Sequence, residues 1–170
     1  MDNVGFLLSA NSGLRTVCNN ENPDDCVILL SNDVQIRGKF ISQICDILES
    51  ASPKLVGGIL LNRDTGWNNL GGKIFPYLEG WLLATRVRDW LNLGYFDETF
   101  VPHIFEDIDL STTALLMGYE IIPLNNVGLT HLAGQTIIYS QERDELTRTN
   151  QKKFVAKWVY KDRDKCLIHN

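Results

Sequence analysis

The sequence predicts an α/β fold, and three observations carry that reading. Cys26-Val27-Ile28-Leu29-Leu30 is a continuous apolar run of strand length that follows a polar loop. Such a run looks like a strand buried on both faces, as in a parallel sheet. Residues 39–50 place Phe40, Ile41, Ile44, Cys45, Ile47 and Leu48 at helical spacing, and Pro53 stops the helix. Strand-like and helix-like segments then alternate to the end of the chain, the order expected of a sheet flanked by helices.

The other elements follow in order. Residues 4–17 read as a helix with Asn3 or Asn11 as its cap. Asn19 to Asp25 is a polar loop with turn chemistry around Pro23. Residues 55–61 form a second strand, Asp64-Thr65-Gly66 a turn, and Gly71-Gly72-Lys73-Ile74-Phe75 a short strand or loop. Residues 80–93 are rich in apolar side chains and end at Gly94, and residues 107–117 form a helix closed by Gly118. Residues 119–124 and 127–131 are short strands, and residues 141–158 a terminal amphipathic helix. A chain of 170 residues with 44% apolar content suits one domain, divided into a body (1–140) and a basic helix with its tail (141–170).

Charge and cysteine usage narrow the function classes. The net charge is −5, unevenly spread. Residues 141–170 carry a surplus of three positive charges and the preceding 140 residues a surplus of eight negative ones. An acidic body argues against nucleic acid as a partner and suits a site that gathers a divalent cation. Cys18, Cys26, Cys45 and Cys166 show no C-x-x-C spacing, so free thiols are expected rather than a zinc or redox site. No apolar run approaches the roughly 18 residues of a membrane span, and Met1-Asp2-Asn3 does not open a signal peptide. The expectation is a soluble cytoplasmic protein. Val155, Trp158 and Val159 with Lys152, Lys153, Lys157 and Lys161 leave two readings of the terminal helix: an apolar face packed on the body, or peripheral contact with a membrane.

Three groups of residues are candidates for chemistry. Ser31-Asn32-Asp33-Val34 ends the Leu29-Leu30 strand, where open α/β sheets place ligands. Asp33 there either holds a divalent ion between two phosphates or, with Asn32, ends the strand in a turn that caps the next helix. Asp97, Glu98, Glu106, Asp107 and Asp109 put five carboxylates within thirteen residues, interleaved with Phe96, Phe100 and Phe105. The last three carboxylates either stabilise a helix start or include a general base able to take a proton from a hydroxyl. His131 ends a strand ahead of Ala133-Gly134-Gln135-Thr136, and is either structural or a second ligand beside Asp33. His103 lies in the acidic loop within reach of a substrate, and His169 is close to the terminus. Trp81 follows Gly80 and offers a flat face to a sugar ring, whereas Trp90 reads as core. A glycosidase is disfavoured, because the adjacent Glu106 and Asp107 cannot straddle a glycosidic bond.

Taken in order, the chain resembles the family-2 inverting glycosyltransferases of the GT-A fold, most closely their rhamnosyltransferase-like branch. The matching stretches are Asn3-Val4-Gly5-Phe6 with Asn11-Ser12-Gly13, Leu29 to Val34, Gly71-Gly72, and Gly94-Tyr95-Phe96-Asp97-Glu98-Thr99-Phe100. Glu106-Asp107-Ile108-Asp109-Leu110, Gly118-Tyr119, and His131 with Gly134 complete them. The resemblance implies a mixed sheet flanked by helices and a metal-dependent transfer of a hexose or rhamnose from a nucleotide-sugar donor to a glycan or lipid-linked acceptor. Asp33 resembles the last Asp of the family's Asp-x-Asp motif, with Ser31 at the first position. His131 resembles its later metal-contacting His, so the two would hold Mn or Mg. Asp107 looks like the catalytic base, Glu106 its neighbour, and Asp109 serves the helix start. Ser31, Asn32, Gly72, Gly80 and Trp81 fall where donor or acceptor is bound. The family's base-gripping βαβ portion would precede Asn3, so the sequence reads as N-terminally truncated. It would then be a fragment, a short form that pairs with a second copy or another chain, or a non-catalytic carbohydrate- or partner-binding remnant.

Overall fold

The computed structural model describes residues 5–124, 128–132 and 141–160. Asn3, Val4, Val127, positions 133–136 with Gly134, Lys161, Cys166 and His169 lie outside the described residues. Helix α1 (Phe6–Cys18) buries Leu7, Ala10, Asn11, Leu14 and Cys18, one stripe at helical spacing. Its N-terminal boundary is Gly5 at φ 83, with no side-chain cap. Asn11 therefore does not cap the helix. It is fully buried mid-helix, donates to Phe96 O (2.9 Å) and accepts from Phe96 N (3.0 Å).

Next come β1 (Cys26–Leu30), β2 (Val34–Ile36), α2 (Ile41–Leu48) and β3 (Lys54–Gly57). Four short strands follow: β4 (Leu60–Leu61), β5 (Asn69–Leu70), β6 (Lys73–Ile74) and β7 (Tyr77–Leu78). Then β8 (Leu82–Arg86) runs straight into α3 (Val87–Leu93), which ends at Gly94 in the left-handed conformation. Helix α4 (Glu106–Leu116), β9 (Glu120–Pro123), β10 (Leu129–His131) and α5 (Gln141–Val155) complete the order, with a wider π-type turn at Ala156–Tyr160.

The main sheet is mixed, in the order β1-β8-β3-β9. β8 runs antiparallel to β1 and β3, and β3 runs parallel to β9. The strand buried on both faces is thus β8, whose first four residues are all buried, and not β1. Among the described residues β1 pairs with β8 alone, and only Val27 of its five residues is buried. Period-2 alternation divides the core. Leu83 and Leu55 join the large cluster with Leu14, Trp90, Phe96 and Phe154, while Leu82, Ala84 and Val56 join a second one with Phe40, Ile44 and Leu48 of the α2 side. Trp90 is core, as expected, and its Nε1 donates to Val27 O at 3.3 Å.

The expected strand over 55–61 breaks at Gly58, and its halves take different partners: β3 stays in the main sheet, and β4 pairs with β7. A Cβ on Gly58 would lie 2.0 Å from the Trp81 ring, so the indole occupies the space a side chain would need. The terminal helix docks on the body. Phe154 is fully buried, edge-on to Phe75 with ring centroids 5.0 Å apart, and Val155, Trp158 and Val159 pack on the large core. Lys157 Nζ lies 2.7 Å from Asp97 Oδ2 and 2.9 Å from Asp109. Asp109 does stand in the first turn of α4, but its carboxylate takes Lys157 and the Trp158 indole N–H (2.6 Å). Its role is to anchor the C-terminal segment. Cys18, Cys26 and Cys45 are free thiols, and burial together with neighbouring Cys45 pushes Cys26 up to about 11. No helix among the described residues is long and apolar enough to cross a membrane.

Candidate active site

One cleft of about 1140 Å³ gathers most of the singled-out residues. Ser31, Asn32, Asp33, Gly80, Trp81, Glu106, Asp107 and His131 all line it, and so does His103. Gly72 does not. It sits with Gly71 in the β5–β6 turn at φ 78, outside the lining residues, where backbone conformation demands glycine.

The Asp33 corner is built by strand pairing. The next element after Asn32-Asp33 is strand β2, so the helix-capping reading falls. β2 pairs antiparallel with β10 in a register that sets His131 opposite Val34. Leu132 N donates to Asp33 O at 2.9 Å and locks that end. His131 Nε2 then stands 3.2 Å from Asp33 Oδ1, and the Ser31 hydroxyl donates to the same oxygen at 2.6 Å. The Ser31 hydrogen bond first, and His131 after it, hold the Asp33 carboxyl below the usual range despite some burial. Sequence spacing puts Asp33 and His131 nearly a hundred residues apart; only the β2–β10 register joins them.

The carboxylate corner is built by the start of α4. Ile104 and Phe105 have φ 75 and 78, a conformation costly for side-chain-bearing residues, above all β-branched Ile. That bend brings Glu106 and Asp107 to the cleft. Burial pushes both carboxyls above the ordinary range, Glu106 further because the Asp107 charge adds to it. Asp107 is pulled part of the way back by N–H groups: Ile108 N donates to Oδ1 (2.8 Å) and Gly80 N to Oδ2 (3.2 Å). Glu106 Oε2 is buried and has no hydrogen-bond partner among the described residues. The pair thus titrates unequally: Asp107 gives up its proton first, and Glu106 keeps its own to higher pH.

The tripeptide Glu79-Gly80-Trp81, between β7 and β8, connects the two corners. Gly80 donates to Asp107, and a Cβ there would press to 3.4 Å from that of Asp107. The Trp81 carbonyl accepts from Ser31 N at 2.8 Å. The Trp81 ring stacks on His131, centroids 5.3 Å apart and planes 16° off parallel. Its Nε1 donates to Glu79 Oε2 at 3.0 Å. Trp81 is 9% exposed, so it offers no open face to a sugar ring, contrary to the expectation drawn from its place beside Gly80.

The exposed aromatic of the cleft is Trp67, 45% exposed and missed by sequence reasoning. Its loop is rigidly made. Buried Asn68 accepts from Thr65 N (3.0 Å) and Thr65 Oγ1 (2.9 Å), and donates to the carbonyls of Leu61, Arg63 and Phe75. The signal was present in Thr65-Gly66-Trp67-Asn68, a turn motif with an apolar residue at its tip. Also missed was Asn150 of α5, whose side-chain amide donates to the carbonyls of Phe100, His103 and Ile104 and so ties down the loop that precedes the carboxylates.

No protein-family model, curated protein or solved structure matches this chain.

Proposed function

We propose that this chain is a glycosyltransferase of the GT-A type, or the acceptor-side portion of one, moving a sugar from a nucleotide-diphosphate donor to a hydroxyl of a glycan or lipid-linked acceptor. The observation that carries the reading is that one cleft holds both halves of the required chemistry. Asp33 and His131 stand at one corner, and a half-buried carboxylate of raised basicity, Asp107, at the other. In an inverting displacement the acceptor hydroxyl attacks the anomeric carbon as the bond to the diphosphate breaks. Asp107 takes the hydroxyl proton on the carboxylate, while Gly80 N–H and Ile108 N–H hold its orientation.

The donors at the other corner suit Mn²⁺ or Mg²⁺ in part. A carboxylate and an imidazole are acceptable ligands, and no third His, Cys, Asp or Glu joins them in a cluster among the described residues. The remaining positions would fall to the donor's phosphates and water. When bound, such a cation neutralises the charge of the departing diphosphate. Ser31 supports this by keeping Asp33 ionised and oriented. Ser31 stands at the first position of the Asp-x-Asp motif that the chain resembles, and that departure favours a second reading: a carbohydrate- or partner-binding module that has lost catalysis.

Titration calorimetry with Mn²⁺ and a panel of nucleotide-sugars tests the proposal. Binding by the chain, or by an N-terminally extended version, is expected to require Asp33. No binding by either version would sink it, and sugar transfer abolished by Asp107→Asn would discard the binding-only reading. Trp67 supplies the stacking face in this scheme. Trp67→Ala is expected to raise the KM for one sugar-bearing substrate by roughly two- to tenfold, the worth of one aromatic contact, with little change in melting temperature. An unchanged KM for donor and acceptor alike would remove Trp67 from the binding surface.

A further inference from the structure

We propose that Trp81 is a positioning residue for the cation corner: its indole, seated against Gly58 and tethered by Glu79, holds the His131 ring in the plane from which Nε2 meets Asp33. The inference rests on the cation site proposed above and goes beyond it, because it assigns the order of that site to residues that never touch the ion.

The geometry points this way from four sides. His131 sits at the last residue of the three-residue strand β10, and its side chain is 26% exposed, so strand pairing alone leaves the ring free to turn. The nearly parallel indole at 5.3 Å removes that freedom on one face. The indole is itself fixed. Its six-membered ring packs where a Gly58 side chain would stand, with a Cβ falling 2.0 to 2.5 Å from three ring atoms, so position 58 must be glycine for the ring to sit there. Its Nε1 is held at 3.0 Å by Glu79, and its carbonyl takes Ser31 N, the residue whose hydroxyl orients Asp33. Trp81 therefore touches both ligand-bearing segments, through its ring to His131 and through its backbone to Ser31. An imidazole that turned about its own bond would still be present but would aim Nε2 away from the shared point. Hydrogen-bonding partners that orient a ligand imidazole change metal affinity by about 10- to 100-fold, and the stacked indole takes that orienting part here.

The test uses the full chain and Mn²⁺ alone, with free ion counted by its electron paramagnetic resonance signal. Trp81→Leu is expected to weaken Mn²⁺ binding about tenfold or more. It should also abolish the histidine-nitrogen coupling in the electron spin echo of the bound ion. Trp81→Phe, which keeps a stacking ring, should restore both. The Trp81→Leu/His131→Ala double variant should bind no more weakly than His131→Ala, since the effect of Trp81 passes through that ring. In the metal-free chain the stacked indole should shift the His131 ring protons upfield, and Trp81→Leu should remove that shift, which tests the stack even if a variant is less stable. Trp81→Leu with wild-type Mn²⁺ affinity and an intact nitrogen coupling overturns the proposal while leaving the cation site standing. A wild-type chain that takes up no Mn²⁺, either alone or with a nucleoside diphosphate present, overturns the cation site, and the proposal with it.

Discussion

Asp107→Asn is expected to lower sugar transfer by about 10²–10⁴-fold, the usual contribution of a positioned general base. The folded state should survive. Asparagine keeps one oxygen for Ile108 N–H or Gly80 N–H and forfeits the other, a loss of about 1 kcal/mol set against relief from burying a charge. The measurement is kcat at saturating acceptor, with the melting temperature as control. A variant that keeps kcat within about threefold of wild type, at a pH where Asp107 is ionised, would show the base to be another group.

The pH dependence adds a sharper form of the same argument. Burial raises Asp107, so the rise of kcat/KM with pH should come above the ordinary aspartate range of about 4. Glu106 is raised further and holds its proton when Asp107 has lost its own. Glutamine at 106 imitates that protonated form, so Glu106→Gln should leave the acid limb and kcat close to wild type near neutrality. Stability follows the sign of the shift. Glu106 binds its proton more tightly folded than unfolded, so its contribution is complete below the unfolded value of about 4.3 and is lost as pH rises through the raised folded value. The Glu106→Gln chain escapes that loss. Thermal scans from pH 5 to pH 9 should show the variant gaining on wild type as pH rises; a constant difference would mean that Glu106 is already ionised at pH 5.

How far these positions could be read from sequence depends on whether the deciding contact is local. Helix α1 and strand β1 were legible because periodicity and apolar runs are local signals, and α4 because Glu106, Asp107 and Asp109 favour a helix start while Gly118 ends it. The identity of the doubly buried strand was not. β1 and β8 are both apolar runs, and only the sheet order makes one an edge and the other central. β2 was invisible, since Val34-Gln35-Ile36 is three residues long and mostly exposed, and becomes a strand only by meeting β10. That same pairing unites Asp33 with His131. Trp81 misled because a glycine neighbour suggests ligand approach, whereas the glycine that matters to its ring is Gly58, distant in sequence. Asn11 and Asn150 look like helix-surface or capping residues in a sequence. Their burial, and the carbonyls they satisfy, are set by chain segments some 50 or 85 residues away.

Asn150→Ala should be the most damaging single change outside the carboxylates, because it strikes stability and the site together. Asn150 is fully buried, and its amide is the hydrogen-bond donor shared by three loop carbonyls. Removing it strands those carbonyls, at a cost of roughly 2–4 kcal/mol. That amounts to a fall on the order of 5–15 °C in Tm for a chain of this size. The loop it releases holds Ile104 and Phe105 at positive φ, a conformation that persists only where surrounding contacts enforce it. Once relaxed, the loop no longer fixes the first turn of α4, and Asp107 moves off the position from which the proposed transfer would use it. Misplacement by about 1 Å can cost as much as 10² in rate. Leu14→Ala provides the comparison. It opens a cavity in the same core at about 2–5 kcal/mol but touches no loop carbonyl. At a temperature where both variants are folded, Leu14→Ala should retain wild-type kcat and Asn150→Ala should lose at least tenfold. Equal activities would mean that the loop holds its strained turn without Asn150, and that α5 serves stability alone.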